Sequence, residues 1–216
     1  MNPYVSLAFD FLDPLGWIAE RRLRLAMRKA QVLAPLIYLP YRAPASREAV
    51  GQPFQDYQQR RFGTQATAYH RKLIAEAARL DIPLHEMTVE KVPDPWLAMM
   101  AMSSDAEHAS ALFDAIYRAI YREGRDVGDP GVIAEILAQS RSTVRTVQQL
   151  SENGALRDEL LDTEHRVAGW SQNLIPSIRI NDTVISGAQP PGLLAHMLAS
   201  CLPLPAPVTA EDACRA

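Results

Sequence analysis

Asp13-Pro14-Leu15-Gly16 is the stretch of this 216-residue chain where residue type and position together suggest chemistry. It follows the run Phe9-Asp10-Phe11-Leu12 and opens an amphipathic segment that reaches Lys29. A carboxylate at such a junction has three uses. It can cap a helix, because Asp accepts the unpaired N–H groups of a first turn and proline at the next position loses no hydrogen bond. It can move a proton as a general acid or base, although a helix start favours the ionised form and makes a poor acceptor near pH 7. It can anchor a cationic or hydroxylated ligand. The cap is the leading reading, and Asp13 is the candidate catalytic group if the protein is an enzyme. The other reactive residue types are less well placed. Cys201 and Cys214 form neither a C-x-x-C pair nor a zinc knuckle, and His70, His85, His108, His165 and His196 are scattered. No metal site is expected from such spacing.

These residues can act only on a scaffold that fixes the turn between strand and helix. Val5, Leu7, Phe9 and Phe11 alternate with Ser6, Ala8 and Asp10, predicting a strand over Tyr4 to Leu12. Asp13 and Pro14 then start a helix carrying Trp17, Ile18, Leu23, Leu25 and Met27, which ends near Lys29. Val32 to Tyr41 is a second strand, whose Pro35 and Pro40 suit an edge or a bulge. From Gln52 to Trp170 the pattern is helical, with stretches at 65–80, 107–123, 130–139, 143–150 and 156–165. Ser177 to Gly187 reads as a hairpin about Asn181-Asp182, and a last helix follows Pro190-Pro191. The order β-α-β, helical block, β-β-α is that of a thioredoxin-like α/β fold with a large all-helical insertion. Residues 1–50 and 171–200 then form the thioredoxin-like domain, 51–170 the insertion and 201–216 a loosely ordered tail.

Composition narrows the partners. Hydrophobic residues make up 48% and charged residues 22%, enough for a substantial core. A net charge of −3 offers no basic footprint for nucleic acid, and no apolar run approaches the roughly 18–20 residues of a membrane span. The N-terminus lacks the basic and apolar regions of a secretory signal, so a cytoplasmic location is expected.

Several segments carry a resemblance to a known family: Phe9-Asp10-Phe11, Arg21-Arg22-Leu23, Ala119 to Pro130, and above all Ile175-Pro176-Ser177 through Ile185-Ser186-Gly187-Ala188-Gln189-Pro190-Pro191. In these the chain resembles the DsbA family, in the FrnE-like branch that neighbours 2-hydroxychromene-2-carboxylate isomerases and kappa-class glutathione transferases. The resemblance implies a cis-proline at Pro176 and an active site at Asp13-Pro14-Leu15-Gly16. FrnE-like relatives carry C-P-W-C there and isomerase-like relatives a serine. Only the proline is kept here, so disulfide exchange, which needs a thiolate and a resolving thiol, is not expected.

What remains is a cleft between the first helix and the Pro176 loop, suited to a small molecule or an extended peptide. Pro14, Gly16, Trp17, Ile175, Pro176, Ser186 and Gln189 are its expected lining, although an aromatic residue one turn into a helix, as Trp17 is, more often belongs to the core, and Ser186 and Gln189 serve equally as turn caps. Glutathione is an admissible ligand, although a carboxylate at Asp13 adds about 1–4 kcal/mol of repulsion against its thiolate. Two alternatives stand beside this reading. One is an isomerase- or glutathione-transferase-like enzyme with Asp13 in place of serine or cysteine. The other is a non-catalytic dimeric scaffold, with Tyr117, Tyr121 and the Met99-Met100-Met102 cluster supplying the homodimer face. Tyr57, His70, Trp96 and Tyr117 are further residues able to reach the cleft from the helical block. Arg21 and Arg22 are expected to be solvated or paired with Glu20.

Overall fold

The computed structural model describes residues 4–85, 89–144 and 146–201. The apolar run at the start forms the inner strand β1, Val5–Phe9. It pairs in parallel with β2, Leu36–Pro40, in the register Val5↔Leu36 to Phe9↔Pro40. A parallel pair needs a crossover, and helix α1, Leu15–Lys29, provides it. On its other side β1 pairs antiparallel with β3, Ser177–Ile180, which turns at Asn181-Asp182 into β4, Thr183–Ser186. The strand order is β2-β1-β3-β4, so the proline-bearing β2 is an edge strand, as its sequence predicts. Asn181 takes the left-handed conformation (φ 50°) that a two-residue hairpin turn requires.

Both faces of the sheet are covered. Val5, Leu7 and Phe9 join the main core with Ile18 and Leu23 of α1 and with Leu194 and Leu198 of the last helix, α10, Pro191–Cys201. Ser6 and Ala8, on the opposite face, lie under a long helix preceding β3. The intervening residues form helices: α2 (Pro44–Ala49), α3 (Phe54–Phe62), α4 (Ala66–Ala78), α5 (Trp96–Ser103), α6 (Ala109–Tyr121), α7 (Pro130–Gln139), α8 (Val147–Ser151) and α9 (Gly154–Ser171). Helix α6 follows its apolar spacing closely, with Leu112, Phe113, Ile116, Tyr117, Ile120 and Tyr121 all buried. No helix among the described residues is long and apolar enough to cross a membrane.

Several expectations change for physical reasons. Strand β1 stops at Phe9 rather than Leu12, because Asp10 Oδ1 accepts the Leu12 N–H (2.8 Å) and folds the chain into a turn. Strand β2 begins at Leu36, leaving Leu33 in solvent at 98% exposure. Helix α9 runs to Ser171, where Gln172 and Asn173 take left-handed conformations and end it. Helices α2, α3 and α5 were not resolved individually by apolar spacing. Met99, Met100, Met102, Tyr117 and Tyr121 are all buried in the core, so they offer no dimer face. Arg22 is not paired with Glu20; it bonds Glu76 of α4 and the carbonyl of Ala188, while Arg21 faces Asp114 at 3.7 Å. Glu20 is buried and bonded by Arg24 and Tyr38. The expected loose tail beyond Cys201, with Cys214, lies outside the described residues.

One buried carboxylate joins two connections between the inserted helices, α5–α6 and α7–α8. Asp105, between α5 and α6, accepts from the His108 backbone N–H (3.2 Å), the Ser142 hydroxyl (2.7 Å) and the Thr143 N–H (2.7 Å), with His108 Nδ1 at 2.9 Å. Burial would raise its pKa, but these donors outweigh that and hold it well below the usual carboxylate range. A depressed folded pKa gives stability that is present above the unfolded value near 3.8 and is lost as pH falls toward the folded one. Urea unfolding should therefore show stability declining from pH 5 to pH 2.5. Asp105→Asn should lose about 2 kcal/mol at neutral pH and flatten that decline; an unchanged acid profile in the variant would refute the assignment.

Candidate functional site

The register Ala8↔Ser177 places the start of β3 beside the end of β1. The Asp10–Asp13 turn and the Pro176 loop therefore leave the same end of neighbouring strands, and the Tyr41–Ala43 segment leaves that end of β2. Asp10, fully buried, ties two of these exits together: its Oδ1 accepts the Leu12 N–H and its Oδ2 the Ala43 N–H at 3.0 Å. Burial raises its pKa, opposed by Ser46 and by these two backbone donors.

Asp13 stands three residues on. Pro14 already has helical dihedrals (φ −62°, ψ −18°), and Asp13 Oδ1 accepts the Leu15 N–H at 2.9 Å just before the regular helix begins. The capping expectation is met in this form. The other oxygen, Oδ2, receives Arg61 Nη2 at 2.6 Å. Asp13 is 2% exposed and Pro14 is buried, while the Arg61 side chain keeps 23% exposure. The helix start is thus roofed by α3, and the guanidinium is the charged group at its surface. Arg61 Nη1 also donates to the Tyr57 hydroxyl at 2.9 Å, which lies 3.0 Å from Ser46 Oγ. Burial would weaken the guanidinium's hold on its proton, but Asp13, Tyr57 and Asp10 carry its pKa above the ordinary value. Tyr69, stacked on Phe62 at 4.3 Å, is pushed up to about 12 by burial and then by the charge of Asp13.

Beneath the turn, α6 supplies two hydroxyls. Tyr117 Oη donates to the Asp10 carbonyl at 2.9 Å with the Asp13 carbonyl at 3.2 Å, and Tyr121 Oη donates to the Phe11 carbonyl at 3.0 Å. Both phenols are raised far above their ordinary range, by burial first and by neighbouring negative charge second. Gly16 lies against the same hydroxyl: a Cβ there would stand 2.1 Å from Tyr117 Oη and 3.2 Å from Phe9 Cβ. Glycine is required at this position by close approach.

The expected site residues divide. Asp13, Pro14 and Gly16 come together under Arg61, and Tyr57 and Tyr117 reach the same network. Trp17 is 1% exposed, stacks on Tyr117 at 5.6 Å and donates its indole N–H to Asp114 at 2.9 Å, so it is core and does not line an open cleft. The Ile175–Pro176 peptide is cis, Ile175 is half-buried, and the Pro176 carbonyl accepts the Gly187 N–H at 2.7 Å. Ser186 is exposed with its carbonyl accepting Gln189 Nε2 at 2.8 Å, the turn-capping arrangement. His70, a buried residue of α4, has Gln58 Nε2 of α3 at 3.3 Å, and Trp96 lies under the Arg42 guanidinium at 4.2 Å; neither is placed at Asp13 by these contacts. Asp10 and Arg61 were missed by the sequence reading. The signal for Arg61 was its i, i+3, i+7 spacing with Phe54 and Tyr57, which puts a cation on a buried helix face. Among the described residues no three His, Cys, Asp or Glu side chains cluster as a metal site.

Comparison with known proteins follows the same lines. The family described as DSBA-like thioredoxin domain matches residues 4–199. Among solved structures, a probable DsbA oxidoreductase from Streptomyces coelicolor superposes with a TM-score of 0.79 at 19% identity, covering 93% of this chain and 92% of that one. A 2-hydroxychromene-2-carboxylate isomerase gives 0.63 at 15% identity over 91% and 92%. The cytosolic disulfide reductase DsbM from Pseudomonas aeruginosa gives 0.58 at 15% over 91% and 97%. At these identities the likeness is one of fold. Among curated proteins none matches this chain.

The contact between Gly16 and Tyr117 is open to a direct test. Gly16→Ala should destabilise the protein by about 1–3 kcal/mol in urea unfolding, since the added methyl must displace a buried, hydrogen-bonded phenol. The same substitution made in a Tyr117→Phe background should cost measurably less. Equal costs in the two backgrounds would show that the hydroxyl is not what restricts the position.

Proposed function

The chain belongs to the DSBA-like thioredoxin domain family, and we propose that it works there as a binding protein that has given up disulfide exchange. The observation that carries this reading is the Asp13–Arg61 pair at the start of α1, at 2.6 Å, with the second oxygen of Asp13 on the Leu15 N–H. Thiol–disulfide chemistry needs a nucleophilic thiolate at the first position and a resolving thiol at the second. Those positions are Asp13 and Gly16, and the space a second side chain would need is filled by Tyr117 Oη. The C-x-x-C motif is lost, and the packing has closed over it.

Ligand recognition then falls to the groups that remain at this end of the sheet. The exposed fraction of Arg61 offers a cation to a carboxylate or another anion. The backbone of half-buried Ile175, in the bend before Pro176, lies at the same end of the sheet, and main-chain groups are the usual means of holding a peptide or a peptide-like molecule. The ligand class that suits both is a small anionic molecule or an extended peptide with a carboxylate, glutathione being the simplest probe. A general-base role for Asp13 is less well supported, because both of its oxygens are engaged in capping and ion pairing.

Insulin-reduction and dithiol-oxidation assays should show nothing above background, in the native chain and in a Cys201→Ser/Cys214→Ser variant alike. Glutathione and S-methylglutathione should raise the melting temperature equally, because binding does not use the thiol, and Arg61→Gln should abolish both shifts. Asp13→Asn, which keeps an acceptor for the Leu15 N–H, should leave ligand binding within a few-fold of the native value. Disulfide exchange that survives the cysteine substitutions, or loss of an isomerase-type turnover in Asp13→Asn alone, would overturn the reading.

A further inference from the structure

We propose that the layer between α9 and the sheet holds a second ligand site, separate from the helix start, built for a small carboxylate that carries an apolar ring. A cavity of about 450 Å³ lies there, within the range of small-molecule sites (roughly 300–1,000 Å³). Tyr4, Leu39, Val167 and Trp170 form its apolar walls, Arg166 and Arg179 supply charge, and no lining residue is acidic. The sequence positions explain the assembly. Thr163, Arg166, Val167 and Trp170 recur at i, i+3, i+4 and i+7 of α9 and so share one helix face. Tyr4, Ser6 and Ala8 alternate onto the facing side of β1, where register sets Ser6 beside Arg179 of β3 and Ala8 beside Leu39 of β2.

Two buried hydroxyls lie in the same layer, outside the cavity lining. Among the described residues two buried side-chain polar atoms have no hydrogen-bond partner, Ser6 Oγ and Ser171 Oγ. Ser6 is fully buried and pairs in register with Arg179, and Ser171 is one turn beyond Val167 on α9; neither lines the cavity.

The guanidinium groups keep capacity for a carboxylate. Arg166 Nη2 donates to Thr163 Oγ1 at 2.9 Å, and Arg179 Nε donates to the Asn181 carbonyl at 2.8 Å with exposed Asp182 at 3.5 Å from Nη2. A guanidinium has five N–H donors, so several remain on each. Two such forks select a carboxylate, and the faces of Trp170 and Tyr4 select a flat apolar body. The site lies on the sheet face away from α1, so its occupancy does not depend on the reading given to Asp13 and Arg61.

The probe is 2-naphthoate, with 2-naphthamide as its uncharged counterpart, titrated into the full chain by calorimetry and by tryptophan fluorescence. One saturable site is expected for the acid, with the amide at least ten-fold weaker. Arg166→Gln and Arg179→Gln should each weaken binding of the acid by about ten-fold or more while leaving thermal melting unchanged, since both side chains reach solvent. Trp170→Phe should remove most of the fluorescence response. Arg71→Gln, an equal charge change elsewhere on the surface, should have no effect. Absence of saturable binding, equal affinity for acid and amide, or equal losses in Arg71→Gln and the two pocket variants would each overturn the proposal.

Discussion

The site end of this protein depends on the burial of one carboxylate, that of Asp10. A carboxylate out of water is unfavourable unless its oxygens are hydrogen-bonded, and here the two backbone donors come from different chain segments. The bond to Leu12 ends β1 and bends the chain toward α1. The bond to Ala43 fixes the exit of β2, from which the inserted helices depart. The same turn then presents its carbonyls inward, where the hydroxyls of Tyr117 and Tyr121 meet them. Strand end, helix start and insertion are therefore oriented by a single polar cluster inside an otherwise apolar core.

That arrangement decides what the helix start can do electrostatically. An α-helix N-terminus carries the equivalent of roughly half a positive charge, which in a thiol enzyme stabilises a thiolate. Asp13 takes that position with an anion that is covalently part of the chain, and Arg61 balances it from α3. The sequence reading expected an uncompensated negative charge that would repel a ligand's thiolate. The ion pair removes most of that repulsion, yet it also occupies the groups that would have activated a sulfur. The consequence is a neutralised helix start, roofed by a guanidinium that can still face an anion from outside.

Local sequence carried the framework well. Alternation marked β1, the Asn181-Asp182 turn marked the β3–β4 hairpin, Pro35 and Pro40 suited β2 to an edge, and the spacing of Leu112, Phe113, Ile116, Tyr117 and Ile120 marked α6. The cap at Asp13 was legible because capping is a contact over two residues. Its ion pair was not, because Arg61 lies 48 positions away and nothing in either segment specifies that they meet. Trp17 stayed open between cleft and core for the related reason that an aromatic residue one turn into a helix has the same local signature in both. What settles it is Tyr117, a hundred residues later in the chain, against which the indole stacks.

The residues that rebuild the helix start come largely from outside the β-α-β and β-β-α segments. Tyr57 and Arg61 belong to α3, and Tyr117 and Tyr121 to α6, all between β2 and β3. Those helices therefore complete the first turn of α1 as well as adding bulk. Restoring cysteines at positions 13 and 16 would leave Arg61 without its carboxylate, and would press a side chain into the Tyr117 hydroxyl. Breaking a largely buried pair by removing one partner leaves the other charge uncompensated. The first turn of α1 is thus held in its present form by packing and charge contributed from four other positions, so cysteines at 13 and 16 alone would not rebuild a thiol site.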